Sequence, residues 1–154
     1  MSEKIKNLWG RKLFLWALLT FGSVIIIAML FLFVNRAGGF GGGTPSIAVD
    51  QQKIDFGYQK LGTHLTFVFK VTNTGKSSLQ FKEKPYVEVV KGCCPPELTI
   101  DTMMLKPGES TTVESSSFMM HPGMDGMHNY AVHLKTNDPK NPDLVVTVLS
   151  DWGP

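Results

Sequence analysis

The sequence predicts an all-β fold, a seven-stranded immunoglobulin-like sandwich preceded by one transmembrane α-helix. Three observations carry this reading. From Pro45 onward apolar residues recur with the period of strands, in short runs rich in Val, Thr, Phe and Tyr that Gly, Pro, Asn and Asp interrupt. No helix-length amphipathic stretch occurs in that region. Residues 13–34 run LFLWALLTFGSVIIIAMLFLFV without a charge, and as a helix they reach about 33 Å, enough for a hydrocarbon core of about 30 Å.

Residues 1–12 form a basic leader carrying Lys4, Lys6, Arg11 and Lys12, and only Arg36 follows the span closely. That cation excess puts the N-terminus in the cytoplasm and everything after the span outside a cell membrane crossed once. Thr20 and Ser23, the span's only hydroxyl residues, return hydrogen bonds to the helix's own carbonyls and demand no partner in lipid. A cleaved signal peptide would need an apolar region of about 7 to 15 residues and an A-x-A-like site, which Asn35-Arg36-Ala37 does not supply. Residues 35–45 read as a Gly-rich linker. Residues 46–154 then make one extracytoplasmic domain, large enough for one core and too small for two. The formal net charge of +2 owes much to the leader. The near-neutral remainder offers no basic stripe for nucleic acid.

Strands are expected near 47–56, 65–73, 86–91, 97–101, 110–118, 129–136 and 144–150. In Leu65-Thr66-Phe67-Val68-Phe69-Lys70-Val71 the odd positions are apolar, as in a half-buried strand. Turn signals fall at Asn73-Thr74-Gly75, Lys106-Pro107-Gly108 and Asn137-Asp138-Pro139. Seven short strands at this spacing suit the immunoglobulin-like sandwich.

Asp55-Phe56-Gly57, Asn73-Thr74-Gly75, Leu105-Lys106-Pro107-Gly108-Glu109 and Lys135-Thr136-Asn137-Asp138-Pro139 follow one another in that order. Over about residues 47–150 this succession resembles the Hydin-like, major-sperm-protein-related immunoglobulin-like domains, in particular a bacterial branch of unknown function. The resemblance implies a sandwich that serves as a binding or scaffolding module, and it leaves activity open. Bacterial members of that family often carry Ser-Cys-Gly-Cys-Thr after the third strand. This chain has Gly92-Cys93-Cys94-Pro95-Pro96 there, with its cysteines adjacent.

Two segments depart from generic sandwich composition. One is the Cys93-Cys94 loop; the other, Phe118 to His128, holds Met119, Met120, His121, Met124, Met127 and His128. Pro122, Gly123 and Gly126 make much of the second segment a turn, where buried packing is hard to supply. Thiolates and thioethers are soft donors that favour Cu(I), and imidazole suits copper as well. The expected metal ligands are therefore Cys93, Cys94, Met119, Met120, His121, Met124, Met127 and His128. If successive strands alternate in direction, the connections after the first, third and fifth strands share one end of the sandwich. The two segments then meet there, with His64 of the first connection as a further ligand, at the end opposite the linker. Met103 and Met104 fall at the other end, and His133 sits inside a strand as an ordinary histidine.

The residue types exclude much else. There is no C-x-x-C pair, no C-x-x-C-H, and no Gly-rich loop between a strand and a helix. Cys94 and His121 could form a nucleophile pair, but no orienting third group or oxyanion hole is identifiable, so no enzyme is expected. The expected function is Cu(I) binding or delivery, anchored in the lipid bilayer through residues 13–34, beside a membrane metalloenzyme or larger membrane complex. Three bland alternatives stand beside it. One is a non-catalytic accessory or scaffold subunit without metal, whose methionines form an adaptable contact surface. Another is an extracytoplasmic thiol sensor using the cysteine pair. In the third, Cys93 and Cys94 are a strained vicinal disulfide or inert buried thiols, and Met119 and Met120 at a strand end are one core residue and one exposed one.

Overall fold

Alternation along the long strands decides which side chains go inside. In the segment 126–135 His128, Tyr130, Val132 and Leu134 are buried, and in 143–153 so are Val146, Val148, Ser150 and Trp152. The apolar members of these sets pack with Phe69, Val71 and Val113 of the facing sheet and with Phe67 in one core. The computed structural model describes Met29 and residues 43–154. The leader, the expected span at 13–34 and most of the linker lie outside the described residues; among those described, no helix is long and apolar enough to cross a membrane.

The strands are β1 (Ile47–Val49), β2 (Lys53–Lys60), β3 (Val68–Asn73), β4 (Leu79–Gln80), β5 (Tyr86–Lys91), β6 (Leu98–Ile100), β7 (Met104–Leu105), β8 (Ser110–Ser115), β9 (Gly126–Lys135) and β10 (Asp143–Gly153). One sheet has the order β1-β3-β8-β6, the other β2-β10-β9-β5, and β4 pairs with β7 in a small third sheet. The immunoglobulin-like sandwich expected from the sequence is present. Two of the four signposts turn out to be its corner chemistry. Asp55 accepts the Gly57 N–H at 3.0 Å, and opposite them the register of β10 shifts between Leu149 and Asp151. The Asn73 amide is fully buried and donates to the carbonyls of Ser77 and Leu105.

The expected first strand, 47–56, is corrected. It divides into β1, antiparallel to β3, and β2, which pairs in parallel with β10 in the opposite sheet. Asp50 makes the break: its carboxylate accepts the Lys70 N–H at 2.9 Å, and its own N–H donates to the Lys70 carbonyl at 3.1 Å. The expected strands at 65–73 and 110–118 are also shorter than predicted. They end in a single bridge between Leu65 and Phe118.

Candidate metal centre

Two neighbouring strands bring the cysteine loop to the Met/His loop. β5 and β9 are antiparallel, with Lys91 at the end of β5 opposite Asn129 near the start of β9. Gly92 then turns the chain with φ of 92°. A Cβ at Gly92 would lie 2.3 Å from Cδ2 of His128, so only glycine lets this loop cross the imidazole. Cys94 follows with φ of 56°, a left-handed conformation rarely adopted by residues other than glycine. It projects into solvent, while Cys93 is half-buried against the core. On the other side the 121–124 turn closes through the Met124 N–H and the His121 carbonyl at 3.0 Å.

Four soft or borderline donors result from this juxtaposition. The sulfurs of Cys93 and Cys94 are 3.1 Å apart, and both thiols are free. Cys93 Sγ stands 3.8 Å from Nε2 of His128, and Cys94 Sγ stands 3.9 Å from Sδ of Met124. His128 is 2% exposed, and its Nδ1 lies 3.0 Å from the Gly126 carbonyl. A carbonyl can only accept, so the Nδ1 proton is assigned by that bond and Nε2 turns its lone pair toward Cys93. The hydrogen bond with Cys94, then burial, then the nearby Cys94 charge push the Cys93 thiol above its ordinary range. Without metal, Cys93 is therefore a thiol at neutral pH.

Beneath the loop, Tyr130 is fully buried. Its hydroxyl donates to the Cys93 carbonyl at 2.5 Å and approaches the Cys94 carbonyl at 3.4 Å. Burial first, then the Cys93 and Cys94 charges, push its phenol well above the usual tyrosine range. Neither Tyr130 nor Gly92 was among the residues expected to matter here. The only signal for Tyr130 was its position two residues beyond His128 on the same face of a strand.

The remaining expected ligands are scattered. Met120 is fully buried in the core, and its carbonyl accepts the Gly62 N–H at 2.8 Å. Met119 is half-buried and His121 exposed. Met127 is 42% exposed and borders the cleft formed with Lys91, Cys93, Met124, Asp125 and His128. The first connection does lie beside residues 117–120, as strand parity expects, but the His64 ring meets Ser117 Oγ at 3.1 Å. Met104 is exposed on β7 and Met103 packs on the core. His133 lies inside β9, between Glu88 and Asp143 at 3.0 Å each.

The cleft and the point of chain entry are at opposite ends of the sandwich. β9 runs ten residues from Gly126 at the cleft, about 33 Å at the rise of a strand. It ends at Lys135, beside the turn in which Asp138 holds the backbone of Ile47 at 2.9 Å. Among the described residues no group of three or more His, Cys, Asp or Glu is arranged to hold a metal ion. The donors instead run as a chain of neighbours, Met124 to Cys94 to Cys93 to His128, with each thiol beside one further donor. Such an arrangement suits a soft ion content with two or three donors.

The model of the family described as HYDIN/CFA65/VesB-like, Ig-like domain matches residues 45–150. Among solved structures, the chain is similar to a protein of unknown function from Porphyromonas gingivalis W83, at 19% identity and TM-score 0.55, over 70% of this chain and 47% of that one. It is also similar to the secreted serine protease VesC from Vibrio cholerae, at 20% identity and TM-score 0.52, over 72% of this chain and 24% of that one. The chain thus spans about half the length of the first and about a quarter of the second. At these identities the likeness concerns the fold alone. No curated protein matches the chain. The succession of turn signposts, the two-sheet sandwich they hold together and the match over residues 45–150 agree, and the chain belongs to the HYDIN/CFA65/VesB-like, Ig-like domain family.

Proposed function

We propose that this protein is a membrane-anchored, extracytoplasmic Cu(I)-binding module that holds the ion with Cys93, Cys94, His128 and Met124 and buffers or delivers it. The observation that carries the reading is the convergence of two thiols, an imidazole lone pair and a thioether, with successive separations of 3.1, 3.8 and 3.9 Å. All four are donors that a soft d10 ion prefers. The proposed anchor is the apolar run at 13–34, with the N-terminus cytoplasmic. The cleft lies at the end of the sandwich opposite the point where the chain enters, which suits a donor site directed away from the bilayer. We read the protein as non-catalytic, and its recipient as a membrane metalloenzyme or larger membrane complex.

The test is anaerobic Cu(I) titration of the full chain in detergent against a competing chelator. One tightly bound ion per chain is expected, with binding lost in Cys93→Ser/Cys94→Ser. Absence of stoichiometric binding, or binding indifferent to that double substitution, would sink the proposal.

A second reading, an accessory subunit without metal, draws support from Val89, Val90 and Met127, which are 37%, 58% and 42% exposed near the cleft. Native mass measurement after mild detergent extraction separates the two, since this reading requires a stable complex formed equally well by the copper-free double variant.

A further inference from the structure

Tyr130 touches both halves of the donor set. Its hydroxyl donates to the Cys93 carbonyl at 2.5 Å and lies 3.4 Å from the Cys94 carbonyl. Its ring meets the His128 imidazole edge to face, with centroids 6.2 Å apart. The ring is itself fixed. Tyr130 is fully buried, pairs with Val89 across β5 and Val148 across β10, and packs edge to face against Phe118 at 6.1 Å.

Among the described residues no other hydrogen bond reaches the backbone of Cys93 or Cys94. Cys94 holds a left-handed φ of 56°, a strained conformation that persists only where the surroundings enforce it. Two adjacent cysteines in an extended segment would point their side chains to opposite sides. Here the sulfurs are only 3.1 Å apart, with that of Cys93 by the imidazole and that of Cys94 by the Met124 thioether. That geometry requires the peptide joining them to be held in one orientation, and the group that reports its orientation is the Cys93 carbonyl, to which the phenol donates. The Cys94 carbonyl of the next peptide lies within 3.4 Å of the same hydroxyl, so one buried group holds the chain on both sides of Cys94.

We propose that Tyr130 is the positioning residue of the site: its hydroxyl holds the Cys93–Cys94 peptide so that the two sulfurs sit side by side as a preformed chelating dithiol, with Cys93 toward His128 and Cys94 toward Met124. The proposal rests on the copper reading for its purpose. Its geometric content does not, because a preformed dithiol can be measured without copper.

The test uses the full chain and Tyr130→Phe, which keeps the ring and removes the hydroxyl. The first probe is phenylarsine oxide, whose trivalent arsenic forms two As–S bonds with a dithiol, the two thiol protons leaving with the oxide oxygen as water. Capture should be about 10-fold or more weaker in Tyr130→Phe, while alkylation of the single thiols by iodoacetamide stays within about 2-fold of the wild type, as expected when a group orienting ligands is lost. The second probe is Cu(I), for which the affinity loss should be about 10- to 100-fold. Phe118→Leu removes packing from the Tyr130 ring but leaves the hydroxyl. It should lower the melting temperature without weakening arsenical capture.

Equal arsenical capture by wild type and Tyr130→Phe would overturn the proposal, as would equal losses in Tyr130→Phe and Phe118→Leu. If the wild type captures the arsenical and ignores Cu(I), the copper reading fails while the positioning role stands. Should Tyr130→Phe not fold, 3-fluorotyrosine at position 130 supplies a stronger donor in the same place. Arsenical and Cu(I) affinities should then rise about 2-fold or more, and unchanged affinities would overturn the proposal.

Discussion

Asp138 holds Ile47 across the whole domain: its Oδ2 accepts the Ile47 N–H at 2.9 Å, from 91 positions further along the chain. Its other oxygen takes the Lys140 N–H at 2.8 Å, and the side chain is 1% exposed. Burial pushes this carboxyl up, but the N–H groups of Ile47, Lys140 and Asn141 outweigh it and hold it below the ordinary value. The carboxylate therefore stabilises the fold at pH above the unfolded value, near 3.9, and that contribution is lost as pH falls through the lower folded value. Asp138→Asn should cost about 1.5 to 3 kcal/mol near neutral pH. Urea unfolding of both proteins should show the gap narrowing in acid. A gap of the same size at about pH 7 and about pH 3 would mean that the charge is not its source.

Gly92→Ala should be costly out of proportion to its size. The new methyl would meet the His128 ring at 2.3 Å in a backbone with φ of 92°. A loss of about 1 to 3 kcal/mol is expected, together with weakened Cu(I) binding as the imidazole is displaced from Cys93. Denaturation and the chelator competition measure the two effects separately. Gly108 also has positive φ, at 81°, but a Cβ there meets open space. Gly108→Ala should lose stability alone and leave Cu(I) binding intact.

The methionines divide by position. Met124 stands at 3.9 Å from Cys94, whereas Met120 is fully buried in the core. Met124→Leu should lower Cu(I) affinity at unchanged stability. Met120→Leu, a volume-conserving swap costing less than about 1.5 kcal/mol, should leave affinity unchanged. The opposite pattern would move the binding site away from the cleft.

Cu(I) binding should strengthen with pH. The Cys93 thiol is raised by its hydrogen bond with Cys94, by burial and by the Cys94 charge, so the metal must displace a proton it would not otherwise lose at neutral pH. Apparent affinity should climb by about one to two decades per pH unit between about pH 6 and about pH 8, one decade for each proton released. Titration in a series of buffers gives the slope. A flat profile would remove Cys93 as a thiolate ligand.

Much of this was legible in the residue pattern, for physical reasons that also explain the failures. The bounds of β5 match the expected strand at 86–91, because Pro85 before it and Gly92 after it punctuate the chain at both ends. β4 and β7, of two residues each, are too short to express any period. The division between β1 and β2 was hidden because Asp50 acts through its side chain on Lys70, a partner twenty positions away. Strand parity brought the cysteine and Met/His loops to one end, since alternation of direction survives errors in strand length. Within the second loop, however, softness of the donor could not sort Met120 from Met124. The alternation of β8, buried at 111, 113 and 115, slips by one residue at the exposed Ser116 and Ser117 and resumes at Phe118 and Met120, so a shift the sequence pattern does not mark claims Met120 for the core.

The crossing between β1 and β2 has a mechanical consequence. A pull on the chain at Gly43 meets the backbone bonds of Thr44 to Lys76 and Ser46 to Thr74 and then β1, which is held by three residue pairs to β3 and by the Ile47–Asp138 bond. The next strand, β2, belongs to the other sheet and is held there by six pairs to β10. Force that peels β1 is thus passed across the sandwich to a longer ladder, β2 on β10, in the same sheet as Tyr130 and His128. β1, with the shorter ladder and nearest the pull, is the fuse expected to part first, while the cleft lies at the far end of the sandwich.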